Sequence, residues 1–303
     1  MERLRRVVTD GGLETDLIYH HGVDLPYFAA FPLVETVEGR ELLTAYYDDY
    51  AAIAEWAGAS LMLESPTWRA SGDWGALLGY SAAALARANE AAITMLAGLR
   101  DRYAVPEILI GGSIGPRGDG YRPDYVANPD AAADYHRPQL EAFARAGADL
   151  ATAYTMTHVE EAIGIVRAAR DTGIPVAISF TVETDGRLPS GDLLGHAISA
   201  VDAAAPPDHY LINCAHPTHV EAALAEPGPW RDRIEGLRCN ASTKSHAELD
   251  EATELDDGDP AQLASDQDRL RPQLPNLSII GGCCGTDARH VASLWHAARP
   301  TPV

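Results

Sequence analysis

Short β-branched runs alternate with alanine-rich amphipathic stretches along the whole chain, and this alternation is what most constrains the fold. Strands are expected at Val7–Asp10, Ser60–Glu64, Ile108–Ser113, Leu150–Thr155, Val176–Val182, Tyr210–Cys214, Leu237–Ala241 and Leu277–Gly281. Each is a nearly continuous apolar run, the pattern of strands covered by helices. Between them, helices are expected at Glu41–Ala57, Ser81–Tyr103, Asp130–Ala146, Val159–Asp171, Leu194–Ala204, Thr218–Ala225, Pro260–Leu270 and Asp287–Ala298. Counted in order, these strand–helix units predict an α/β chain folded as one (β/α)8 TIM barrel. A doubly wound open sheet is the alternative, but a G-x-G-x-x-G turn after the first strand is missing. No linker or composition shift divides the chain, so residues 1–303 are read as a single domain.

Charge narrows the partners. The sequence carries 44 acidic against 23 basic side chains, a formal net charge of −21. Such a surface repels phosphate backbones and anionic lipids, so no nucleic-acid or membrane partner is expected. No apolar run approaches bilayer length, and the N-terminus lacks a signal-peptide core. Four cysteines, two of them adjacent, fit thiol or metal chemistry in a reducing compartment. A cytoplasmic enzyme is expected.

In a barrel, chemistry sits at the C-terminal ends of the strands. The unusual residues fall there: Asp10-Gly11-Gly12, Glu64, Gly112-Ser113-Ile114-Gly115-Pro116, Asn213-Cys214, Asn240 and Gly281-Gly282-Cys283-Cys284-Gly285. Cys214 closes the sixth strand and Cys283 and Cys284 the eighth, with one strand between, so three thiolates can converge on one point. Three protein ligands with a free fourth position describe a catalytic zinc site. Glycines at 281, 282 and 285 give the backbone freedom to turn both adjacent sulfurs inward. Small buried hydrophobes, or a vicinal disulfide, remain alternative readings of Cys283 and Cys284.

The first-loop Asp-Gly-Gly, Gly112–Pro116, Asn213-Cys214 and the Gly-Gly-Cys-Cys-Gly element together resemble the homocysteine S-methyltransferase family, from Val8 to about His290. This resemblance implies a (β/α)8 barrel holding Zn2+ through Cys214, Cys283 and Cys284. It also implies that Asp10, Gly11 and Gly12 contact the amino-acid part of a thiol substrate, and Asn213 is expected among the substrate-binding residues. The implied reaction moves a methyl group from a cationic donor to a zinc-bound thiol, homocysteine becoming methionine, a step of methionine biosynthesis. Its partners would be a small-molecule thiol and a cationic methyl donor, with a homo-oligomer as one form of the chain. The alternatives are the same chemistry on another thiol or selenol, or a thiol-methylating module serving a separate corrinoid protein. A D-x-H-x-x-G cobalamin element is missing, so a corrinoid would arrive on another chain.

Two departures from the family bear on substrate. Tyr154 stands on the fourth strand where members carry a glutamate that binds the substrate ammonium. Glu64 is the acidic replacement suggested by strand order, with pairing to Arg69 as its alternative. Of the loop aromatics Tyr27, Phe28, Phe31, Trp68 and Trp74, Trp68 is the first choice for a ring face under a cationic donor, since it aligns with a pocket-lining tyrosine of the family. His216 reads as a helix start rather than a ligand, and Cys239 as a buried structural thiol. The acidic run Glu248 to Asp259 is either a solvated loop or a lid that attracts a cationic donor.

Overall fold

In the computed structural model, the residues described are 6–121 and 128–296. Eight parallel strands close in sequence order into a barrel. They are β1 (Val7–Val8), β2 (Ser60–Glu64), β3 (Ile108–Ile114), β4 (Leu150–Met156), β5 (Val176–Phe180), β6 (His209–Asn213), β7 (Ile234–Cys239) and β8 (Ile279–Gly282). Val7 pairs with Ser60 on one side and Ile279 on the other, which closes the cylinder. The principal helices run over Val37–Ala57, Ala82–Ala97, Pro129–Ala146, Val159–Thr172, Leu194–Ala204, Pro217–Ala223, Pro260–Asp268 and Ala288–Leu294. The expected (β/α)8 architecture is therefore the one observed. The end of the last helix expected at Ala298 lies outside the described residues.

Differences from the expected boundaries have local causes. β7 begins at Ile234, three residues early, because Glu235 and Gly236 interrupt the apolar run without interrupting the ladder. The expected helix to Tyr103 ends at Ala97, where Gly98 lets the chain pass into a single 3-10 turn. Short helices at Leu13–Tyr19, Gly72–Leu77 and His246–Asp250 lie in βα loops that were expected to be irregular.

Alternation along the strands sorts the core into two layers. Val7, Met62, Leu109, Leu150, Ala177, Leu211 and Ile279 fill the barrel interior. Their neighbours Val8, Leu61, Ile110, Ala151, Ile178, Ile212 and Ile280 face the helices. Near the C-terminal end of the barrel the filling turns polar. Glu64 accepts hydrogen bonds from the Tyr154 hydroxyl (2.8 Å) and Thr152 Oγ1 (3.2 Å), while its second oxygen has no partner. Burial pushes this carboxyl up to about 7, against the pull of Arg238.

Because the folded carboxyl is the weaker acid, its protonated form favours the fold below about pH 4.5, and that contribution fades as pH rises through 7. Glu64→Gln should thus stabilise the protein at pH 8 by roughly 1–3 kcal/mol and change little at pH 4.5. Thermal unfolding of both proteins across that range checks it. A stability difference independent of pH would mean that folding leaves the Glu64 pKa unchanged.

Candidate metal and substrate site

The loops after β6 and β8 bring three sulfurs together. Cys214 Sγ lies 3.2 Å from Cys283 Sγ and 3.6 Å from Cys284 Sγ, and all three fall within 4.8 Å of one another. Bonded sulfurs would stand about 2.05 Å apart; the described cysteines are all free thiols. A tetrahedral site with Zn–S bonds of about 2.3 Å sets its sulfurs roughly 3.8 Å apart, a spacing this triangle nearly meets. Cys214 is buried, while Cys283 and Cys284 are partly open to the cavity. Hydrogen bonds from Cys214 and Cys284 hold the Cys283 thiol well below its ordinary range, and Arg238 adds to this. Cys214 is pushed up by the same sulfur contacts and by burial.

Local backbone geometry aims these sulfurs. Cys214 has φ +56°, a left-handed conformation that a side chain adopts only when its surroundings enforce it. Two side chains supply that enforcement. His246 Nε2 lies 2.7 Å from the Cys214 carbonyl while its Nδ1 meets Glu183 at 2.8 Å. Asn213 accepts from the Thr155 backbone N–H (2.9 Å) and Ser179 Oγ (2.6 Å), and donates to Thr155 Oγ1 and toward Cys283 Sγ. Thr155 is also left-handed, beside a register shift in β4. Of the glycines expected to give backbone freedom, only Gly285 has positive φ, +77°. Gly281 and Gly282 serve a different need, because a Cβ at either would strike the Thr9 or Thr286 side chain.

Above the sulfurs opens a cavity of about 540 Å3, walled by the loops after β1, β2, β3, β4 and β7. That volume suits a small-molecule site. Gly11, Gly12, Trp68, Tyr154, Asn213 and all three cysteines line it. Asp10 and Glu64 do not. The Asp10 carboxylate sits behind the wall, accepting from Arg238 Nη2 (2.6 Å) and the Tyr46 hydroxyl (3.2 Å). Glu64 lies beneath Tyr154 and is not paired with Arg69, so its expected contact with a substrate ammonium has no open path.

The donor's expected ring face is likewise taken. The Arg69 guanidinium lies over Trp68 at 4.1 Å and over Trp74 at 3.8 Å, between the two indoles. Phe31 is fully buried in a separate cluster with Ala70 and Leu85. His216 caps the helix Pro217–Ala223 through Thr218, as its position suggested. Cys239 is buried, and burial raises its thiol far above the ordinary range. Of the acidic run, Asp250, Glu254 and Asp256 line the cavity, so this segment forms one wall.

Sequence reading passed over Arg238, Tyr121 and Glu14. Arg238 breaks the apolar run of β7, which is a signal. Tyr121, whose hydroxyl sits 3.4 Å from Cys214 Sγ and 3.6 Å from Cys284 Sγ, follows β3 with nothing in sequence to mark it. Glu14 stands four residues after Asp10 on the helix Leu13–Tyr19 and lines the cavity.

With this geometry in hand, comparison with known proteins is decisive. Residues 7–298 match the family described as homocysteine S-methyltransferase. The chain belongs to the homocysteine S-methyltransferase family. It is 26% identical to homocysteine S-methyltransferase YbgG of Bacillus subtilis, over 97% of this chain and 94% of that protein. It is 28% identical to homocysteine S-methyltransferase of Escherichia coli, over 72% and 70% of the two chains. The crystal structure of the metallated homocysteine methyltransferase MmuM from Escherichia coli superposes with a TM-score of 0.74 at 23% identity, covering 97% of each chain, a likeness of fold. As a member of this family the chain is a thiol S-methyltransferase, and its three-cysteine cluster is one that can bind a metal.

Asn213 touches two of the structures that set the sulfurs, the Thr155 turn and Cys283. Asn213→Ala should weaken zinc affinity by about 10- to 100-fold while leaving the fold intact. Competition against a chromogenic chelator measures the affinity, and circular dichroism the fold. Wild-type affinity in the variant would show that Cys214 holds its conformation without Asn213.

Proposed function

We propose that this protein is a single-domain, zinc-dependent homocysteine S-methyltransferase that takes its methyl group from a cationic donor. The observation that carries this reading is the Cys214–Cys283–Cys284 triangle facing a closed-walled cavity in a chain of this family. Its donor set, three thiolates with an open side toward the cavity, suits zinc more than a hard cation. Zinc bound there supplies a place where a thiol gives up its proton at neutral pH.

The chain's own residues do the rest. Asn213 and His246 fix the sulfurs, and Tyr154 floors the cavity above Glu64. The homocysteine sulfur forms the new S–CH3 bond as the donor's bond to that methyl breaks; the bonding pair stays with the donor, which leaves neutral. No general base on the protein is needed once the thiol proton is gone. Asp10 acts through Arg238, holding the wall rather than touching substrate.

A second reading keeps the chemistry and changes the acceptor to another thiol or selenol. It is favoured by Tyr154, which stands where family members carry the ammonium-binding glutamate.

Purified protein is expected to hold about one zinc per chain, measured by elemental analysis. Cys283→Ala and Cys284→Ala should each lose both metal and turnover. Activity of the wild type after complete removal of zinc would overturn the mechanism. A matrix of thiols against S-methylmethionine, S-adenosylmethionine and betaine identifies the substrates; best turnover of an amine-free thiol would select the second reading.

A further inference from the structure

Among the charged side chains that line the cavity, two of opposite sign face it from neighbouring loops and are not used by the scheme above. Glu14, on the second turn-forming position of Leu13–Tyr19, points into it from the β1 side, and Arg69 from the β2 side. Neither makes an ion pair among the described residues. Arg69 donates once, to the Gly118 carbonyl at 3.1 Å, and its Nε is buried without a partner. Asp119 is the carboxylate that acts on it most, without direct contact, and Glu14 is next. The Glu14 carboxylate is held by its own backbone N–H and meets no other side chain among the described residues at hydrogen-bond distance.

Their positions are not accidents of flexible loops. The Leu13–Tyr19 helix is pinned to the cysteine loop: the Gly12 N–H donates to the Thr286 carbonyl (2.9 Å) and the Gly285 N–H to Thr15 Oγ1 (3.1 Å). Glu14 is thereby fixed beside the sulfurs, near enough to feel the charge of Cys283. Arg69 is only 7% exposed and clamped between Trp68 and Trp74.

Two opposite charges line one cavity, and neither has a counter-ion in direct contact among the described residues, so a ligand that carries both charges gains a partner for each. We propose that Glu14 and Arg69 recognise the α-ammonium and α-carboxylate, respectively, of the amino acid whose thiol is methylated. This rests on the function proposed above and deepens it. Glu14 replaces, from the first βα loop, the carboxylate that β4 lacks at Tyr154. Burial pushes the Glu14 carboxyl up to about 7, and an ammonium bound beside it favours the ionised form. Arg69, immobilised by its indoles, offers a carboxylate a preorganised fork. The same clamp occupies the inner face of each indole.

Homocysteine, 4-mercaptobutyrate (no ammonium) and 3-aminopropanethiol (no carboxylate) separate the two contacts. Calorimetric titration of the zinc-loaded protein reads binding directly, without turnover. Glu14→Gln should weaken homocysteine by about 10- to 100-fold and leave 4-mercaptobutyrate within about twofold. Arg69→Gln should weaken homocysteine and 4-mercaptobutyrate alike and spare 3-aminopropanethiol. Arg69→Lys keeps the charge and should recover part of the loss, which guards against a folding defect in the glutamine variant. Equal losses for all three thiols, or unchanged homocysteine binding in both variants, overturns the proposal. So does a wild type that does not bind homocysteine, or a Glu14→Gln variant that loses only S-methylmethionine, since that would assign the site to the donor. The expected binding pattern without any methyl transfer would overturn the proposed function and leave this assignment standing.

Discussion

The mouth of the barrel depends on the Arg238 guanidinium. Its Nη2 donates to the Asp10 carboxylate at 2.6 Å and to the Gly11 carbonyl at 3.0 Å, and its Nε donates to the Gly282 carbonyl at 2.9 Å. One side chain from β7 thus ties the loop after β1 to the end of β8, the strand that delivers Cys283. It also lies over the Tyr154 ring at 4.8 Å, and Tyr154 in turn hydrogen-bonds Glu64. Both partners of the Arg238–Asp10 pair are nearly inaccessible to solvent. Such a pair contributes little net stability compared with apolar packing, yet removing either member strands a buried charge. Its value here is geometric, since three strand ends meet at one planar, rigid group.

The three clustered sulfurs show a complementary device. A barrel strand ends facing either the lumen or the helices, and a regular continuation would send Cys214 the wrong way. The left-handed turn at Cys214 redirects it, and the cost of that conformation is offset by the His246 and Asn213 contacts on either side. Strain at the site is thus balanced by hydrogen bonds that also orient it. Gly281 and Gly282 contribute by omission, leaving room for Thr9 and Thr286 to pack behind the loop.

Much of this was legible in the sequence. The eight-unit barrel followed from the alternation of periods, and the cysteine triangle from placing Cys214, Cys283 and Cys284 at strand ends. What periodicity could not supply was which polar side chains would find each other across the barrel mouth. Nothing local to Asp10 announces its partner Arg238, 228 positions away. Glu64 reads as an exposed strand end, but Tyr154 comes over it from two strands on. Trp68 reads as an open ring, and only the fold brings Arg69 between it and Trp74. These are long-range pairings, and local pattern holds no record of them. Arg238 is the exception, because a guanidinium inside an apolar run must be satisfied by something buried.

The aromatic clamp changes how a cationic donor meets this protein. Arg69 lies between Trp68 and Trp74 and covers one face of each indole, so a fixed positive charge stands at that wall. The opposite wall is acidic: Asp250, Glu254 and Asp256 line it, within a chain of net charge −21. Asp256 is partly neutralised by Lys244 at 3.2 Å and held by Ser242, so the wall has order as well as charge. A cation entering the mouth is therefore drawn toward the segment after β7 and away from the β2 loop. That field acts over about 8 Å at physiological salt, comparable to the width of such a cavity. Charge, more than ring stacking, orients whatever cation reaches the sulfurs.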